Sequence, residues 1–86
     1  MDNRNYENRY IVIGRSSCPY CKLAVDFLED MVFQHEFLDY VDSTDILEDY
    51  KTFYKQDTVP IILSNNIKTG LTRKIGGYSD LMEYMK

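Results

Sequence analysis

Cys18 and Cys21 are the only two cysteines in the chain, three positions apart around Pro19 and Tyr20. On a helix that spacing stacks two side chains one turn apart, within reach of a disulfide. The segment is also predicted to open a helix, with Pro19 in the first turn, where its missing N–H costs nothing. Free N–H groups and the positive end of the helix favour a thiolate at such a position, and Arg15 and Lys22 add positive charge on either side. Cys18, at the helix entrance, is expected to be the exposed nucleophile. Cys21, one turn in, is expected to be more buried and to act as the resolving thiol. The chemistry is thiol–disulfide exchange through a mixed disulfide. Structural zinc needs four ligands, and the chain offers His35 alone beside the two cysteines. His35 is placed near the far end of the first helix. The redox reading is therefore preferred, and no metal is expected, although a metal or cluster shared between two chains stays open.

The elements that must hold this pair follow from the apolar pattern. Residues 9–14 form a short β-branched run closed by Gly14 and read as a buried strand. Ala24, Phe27, Leu28 and Met31 then recur at helical spacing. Residues 37–41 read as a second strand. Asp42, Ser43 and Thr44 can cap a second helix, whose apolar face would be Ile46, Leu47, Tyr50, Phe53 and Tyr54. Residues 59–63 read as a third strand, Ser64-Asn65-Asn66 as turn chemistry, and residues 71–75 as a fourth strand ended by Gly76-Gly77. Ser79 would cap a short last helix carrying Leu81, Met82 and Met85. The order β-α-β-α-β-β-α calls for one parallel crossover and one antiparallel hairpin, an α/β fold with a four-stranded mixed sheet flanked by three helices.

With 86 residues, the chain is read as one domain spanning 1–86. The 44% hydrophobic content suits a globular chain, and a net charge of -4 argues against a generic nucleic-acid binder. No apolar run is long enough to span a bilayer. Residues 1–5 lead into no secretory apolar stretch, so a reducing, cytoplasmic setting is expected.

The segment Gly14-Arg15-Ser16-Ser17-Cys18-Pro19-Tyr20-Cys21 resembles the active site of dithiol glutaredoxins. Two further stretches agree in order. Thr58-Val59-Pro60 is similar to that family's cis-proline loop, and Gly76-Gly77-Tyr78-Ser79-Asp80 to its glutathione-binding turn. The resemblance implies a thioredoxin-like fold and a monomer that uses glutathione to reduce protein disulfides and glutathione mixed disulfides. By family analogy one protein partner is ribonucleotide reductase. It also implies a cis peptide at Pro60, freeing the Val59 backbone to pair with the cysteine part of glutathione. Close backbone approach is expected at Gly77, a carboxylate contact at Ser79, and an ammonium contact at Asp80. Arg15 would meet a carboxylate or steady the thiolate, while Tyr20 would shape the groove wall. Plainer readings stand beside these: Pro60 as a strand-opening proline, Ser79 and Asp80 as helix caps, Tyr78 as core.

Two departures from the family stand out. Ile61 follows the proline where relatives often carry a polar residue, and residues 65–70 look like an enlarged, partly basic loop. Two competing readings are a dimer holding an iron–sulfur cluster, against which Pro19 weighs, and a thioredoxin-like reductase served by a flavoprotein.

Overall fold

The computed structural model describes residues 7–86. The reading of residues 1–5 as leading into no secretory stretch lies outside them. Four strands form one sheet in the order β2-β1-β3-β4: β1 (Asn8–Gly14), β2 (His35–Asp39), β3 (Ile61–Asn66) and β4 (Thr72–Gly76). Three helices are described: α1 (Pro19–Asp30), α2 (Thr44–Tyr54) and α3 (Tyr78–Tyr84). β1 runs parallel to β2 and antiparallel to β3, and β3 pairs antiparallel with β4. This is the expected element order and mixed sheet. No helix among the described residues is long and apolar enough to cross a membrane.

β1 is central because both of its faces are apolar. Side chains alternate across a strand. Tyr10 and Val12 therefore join Ala24, Leu28 and Leu81 on one face, under α1 and α3. Ile13 joins Leu47, Ile61 and Leu63 on the other face, under α2. Burying each Leu contributes about 1.5–3 kcal/mol, so single leucines anchor these short helices.

The structure moves several expected boundaries. β2 begins two residues early at His35 and stops at Asp39, because the Asp39 side chain bends the chain there. Its Oδ1 accepts the N–H of Val41 at 3.1 Å and that of Ser16 at 2.9 Å. His35 thus lies in β2, not in α1, with Nδ1 2.8 Å from the Phe33 carbonyl. Met31, expected on the buried face of α1, is an exposed cap residue. Ser43 stands at the N-cap of α2 without a side-chain capping bond.

Ser64, Asn65 and Asn66 are strand, not turn. Each pairs with β1, and the hairpin closes around residues 67–71. The longer stretch between Pro60 and Gly76 is therefore mostly extended hairpin, and its basic loop is short. Asn66 still does local turn work, since its Oδ1 accepts the N–H groups of Lys68 and Thr69.

α1 ends in a left-handed turn at Val32, with the Val32 N–H bonded to the Glu29 carbonyl and the Phe33 N–H to that of Leu28. This paired ending normally carries glycine. Val32 has φ 58° and is 82% exposed, so its side chain gains little packing in return for the strain. Val32→Gly is expected to stabilise the protein by about 0.5–1 kcal/mol, the relief of left-handed strain less the glycine's added unfolded-state freedom. Urea unfolding should show a higher midpoint with an unchanged slope.

Candidate active site

Cys18 is the N-cap of α1 and Pro19 its first residue. A tight turn delivers it: the Cys18 N–H donates to the Arg15 carbonyl at 3.1 Å. Asp39 holds the same loop from β2 through the Ser16 N–H, which keeps the Asp39 carboxyl below its ordinary range. Cys18 is half-buried and Cys21 fully buried. Both are free thiols.

The two sulfurs share a turn and differ in charge preference. Partial burial works against ionisation of Cys18. The N–H and thiol of Cys21, the Tyr20 N–H and the Arg15 charge outweigh it, and the Cys18 thiol is held below its ordinary value of 9.0. Burial dominates at Cys21 and, with the adjacent Cys18, pushes it up to about 12. One sulfur is thus favoured as thiolate and the other as thiol.

Cys21 fits because residue 14 is glycine. A methyl group placed on Gly14 would overlap the Cys21 sulfur. The end of β1 and the first turn of α1 are thus in direct contact. Gly76 plays a similar part across the site. Its φ of +127° suits glycine, and a side chain there would run into the Asp80 carboxylate.

The Val59–Pro60 peptide is cis. The loop faces the cysteines, with the Cys18 thiol 3.8 Å from the Val59 carbonyl, to which it donates. Beside it lies a cleft of about 480 Å³ lined by Tyr20, Gln56, Thr58, Val59, Pro60, Gly77, Tyr78, Ser79 and Asp80. Every ligand residue expected from the sequence is in that wall except Arg15. Arg15 instead acts on both sulfurs, and its Nε is buried without a hydrogen-bond partner. Tyr20 and Tyr78 meet as tilted rings 6.0 Å apart, so Tyr78 lines the cleft as well as packing against the core. The cap of α3 differs from expectation. Gly77 is its N-cap, Ser79 is already helical, and Asp80 closes the turn by accepting the Gly77 N–H at 2.8 Å.

Gln56 escaped the sequence reading. The left-handed Lys55 ends α2, and the Gln56 N–H bonds back to the Lys51 carbonyl. The Gln56 side chain is thereby delivered to the proline loop, where Nε2 donates to the carbonyls of Thr58 at 3.0 Å and Pro60 at 2.8 Å. The available signal was a long amide side chain between a helix end and Thr58-Val59-Pro60.

The glutaredoxin family profile matches residues 10–66. The chain belongs to the glutaredoxin family. It is 37% identical over 82 residues to chicken glutaredoxin-1, covering 90% of this chain and 73% of that protein. The structure of reduced Escherichia coli glutaredoxin aligns with a TM-score of 0.68 at 28% identity, covering 90% of this chain and 92% of that one. A buckwheat glutaredoxin–glutathione complex aligns at 0.71 with 21% identity, covering 95% and 71%. The fold is accordingly thioredoxin-like, and membership of the glutaredoxin family carries thiol–disulfide oxidoreductase chemistry with it.

The opposed thiol shifts give a pH test. A group whose pKa is lowered by folding loses its proton in the folded protein at a pH where the unfolded chain still holds it. Thiolate absorbance should therefore rise in two separate steps, the first with a midpoint below 9.0 and the second near 12. The first step should vanish in Cys18→Ser. In the pH range between the Cys18 pKa and 9.0 the folded state should gain stability relative to Cys18→Ser, and lose that gain as pH falls.

Proposed function

We propose that this chain is a glutathione-dependent thiol–disulfide oxidoreductase in which Cys18 attacks and Cys21 resolves. The observation that carries the reading is the pair of sulfurs on one helical turn, one favoured as thiolate and the other held as thiol, beside a cleft walled by two tyrosines, the Val59–Pro60 peptide and small polar residues. A cleft of about 480 Å³ is within the range of small-molecule sites. Its lining suits a peptide-like anion. The Val59 backbone could pair with an extended ligand, Gly77 lets the chain come close, and Thr58, Ser79 and Asp80 supply polar contacts.

The steps follow from the charges. The Cys18 thiolate attacks one sulfur of a substrate disulfide. A new S–S bond forms at Cys18, the old bond breaks, and the departing sulfur leaves as a thiolate that takes up a proton. Cys18 is then neutral, which removes its charge as an influence raising Cys21. Cys21 loses its proton, attacks the Cys18 sulfur and releases the second substrate thiol, leaving a Cys18–Cys21 disulfide. Two glutathione molecules return both cysteines to thiols and depart as glutathione disulfide. For a glutathione mixed disulfide Cys18 alone suffices, because a second glutathione can take the place of Cys21. Disulfide-containing and glutathionylated proteins are the substrate class, with ribonucleotide reductase one candidate by family analogy. A monomer acting in the cytoplasm fits this role.

The test is reduction of a small glutathione mixed disulfide coupled to glutathione reductase and NADPH. Cys18→Ser should abolish turnover, whereas Cys21→Ser should retain it and lose only reduction of protein disulfides. Equal loss in both variants would overturn the assigned roles.

A further inference from the structure

The sequence pattern gives α2 one broad apolar face, but the sheet covers only part of it. Leu47 is buried, and Tyr50 and Tyr54 pack half-buried on the cluster beneath. Phe53 remains 75% exposed and Ile46 41% exposed. Together with Asp49, Tyr50 and Tyr54 they line a groove of about 390 Å³. The aromatic residues of its wall, with Tyr40 beside them, form a ladder. Tyr40 and Tyr50 lie 5.6 Å apart, Tyr50 and Tyr54 stack at 6.4 Å, and Phe53 meets Tyr54 edge-on at 4.8 Å.

Asp49 lines the groove, and the stretch of sequence that carries it is one-sided in charge. Between residues 39 and 57 stand Asp39, Asp42, Asp45, Glu48, Asp49 and Asp57 against only Lys51 and Lys55. That surplus equals the whole net charge of the chain, -4, so the rest of the molecule is balanced. Lys51 is paired with Glu48 at 2.8 Å, while Asp45 and Asp49 have no ion pair among the described residues. Exposed aromatic faces in an acidic field favour a cation, through charge steering and through stacking of a guanidinium or ammonium on a ring. A second copy of the chain would bring the same negative face and be repelled.

The groove and the active-site cleft share no lining residue, but the chain and the packing beneath link them. Phe53 and Tyr54 end the helix, and Gln56, two residues on, lines the cleft and holds the carbonyls of Thr58 and Pro60. Val59, whose carbonyl takes the Cys18 thiol, packs on the same cluster as Tyr50 and Tyr54. We propose that the α2 groove docks a basic segment, carrying one apolar anchor, of the proteins whose disulfides Cys18 attacks. This rests on the redox function proposed above and adds to it a class of protein substrate.

The probes are two synthetic peptides, each with one cysteine joined to glutathione and one leucine, differing only in Lys/Arg or Asp/Glu flanks. Wild type should turn over the basic peptide about tenfold faster in kcat/KM at low ionic strength, with the preference shrinking in salt. Phe53→Ser should weaken that preference, and the charge reversal Asp49→Lys should remove or invert it. Neither should alter turnover of the cysteine–glutathione mixed disulfide. Equal rates for the two peptides, or a preference unchanged in both variants, would overturn the proposal. So would a concentration-dependent dimer in sedimentation that Phe53→Ser abolishes, because the groove would then belong to a second copy. Failure of wild type on the small mixed disulfide would overturn the redox function alone. The groove is then judged by calorimetry with the disulfide-free basic peptide, where binding lost in Asp49→Lys supports docking and absence of binding ends it.

Discussion

Cys21 can lie against the end of β1 only because residue 14 has no side chain, and the arrangement of the site depends on that contact. It buries one sulfur and fixes the first turn of α1 relative to the sheet. The other sulfur is left at the helix entrance, where N–H groups and Arg15 outweigh the cost of partial burial. If the turn stood away from the strand, both thiols would meet water and their ionisation would converge. The surrounding supports serve the same end. Asp39 reaches from β2 to hold the loop before Cys18, and Gln56 reaches from the end of α2 to hold the loop opposite. A small chain thereby sets two sulfurs of one helical turn in two environments.

Much of this was legible in the sequence because the signals were strong and local. The apolar run in β1, the Pro19 that opens α1, and the proline and glycine breaks around β3 and β4 each read correctly. All but one of the expected ligand residues converge on a single cleft. What stayed hidden depended on partners far away in the chain. Nothing in Asn65-Asn66 says that β1 and β4 will pair with them. There the ladder, together with the bonds from Arg9 to Asn65 and from Asn65 to Thr72, overrides turn preference. Likewise the end of β2 is set by one carboxylate bonded to a loop 23 residues earlier. Gln56 was missed because its role is an amide bridging two carbonyls, which no pattern of hydrophobicity reports.

The helix boundaries carry a related lesson. An apolar stripe reveals that a helix is amphipathic, but not how much of the stripe the sheet can cover. Phe53 and Ile46 fit the spacing of α2 as well as Leu47 does, yet only Leu47 reaches the interior. At α1 the same ambiguity left Met31 outside, and the chain turned through a strained valine where glycine would sit easily.

The sheet divides the apolar interior into two clusters that share no buried residue. One is sealed by two helices, the other by α2, whose only fully buried side chain is Leu47. Local opening follows the weakest seal. The α2 layer can therefore detach and reclose while β1 and α1 keep the sulfurs in place. Fluctuation of the protein is thus directed to the side that bears its charge and exposed aromatics, away from the turn that performs its chemistry.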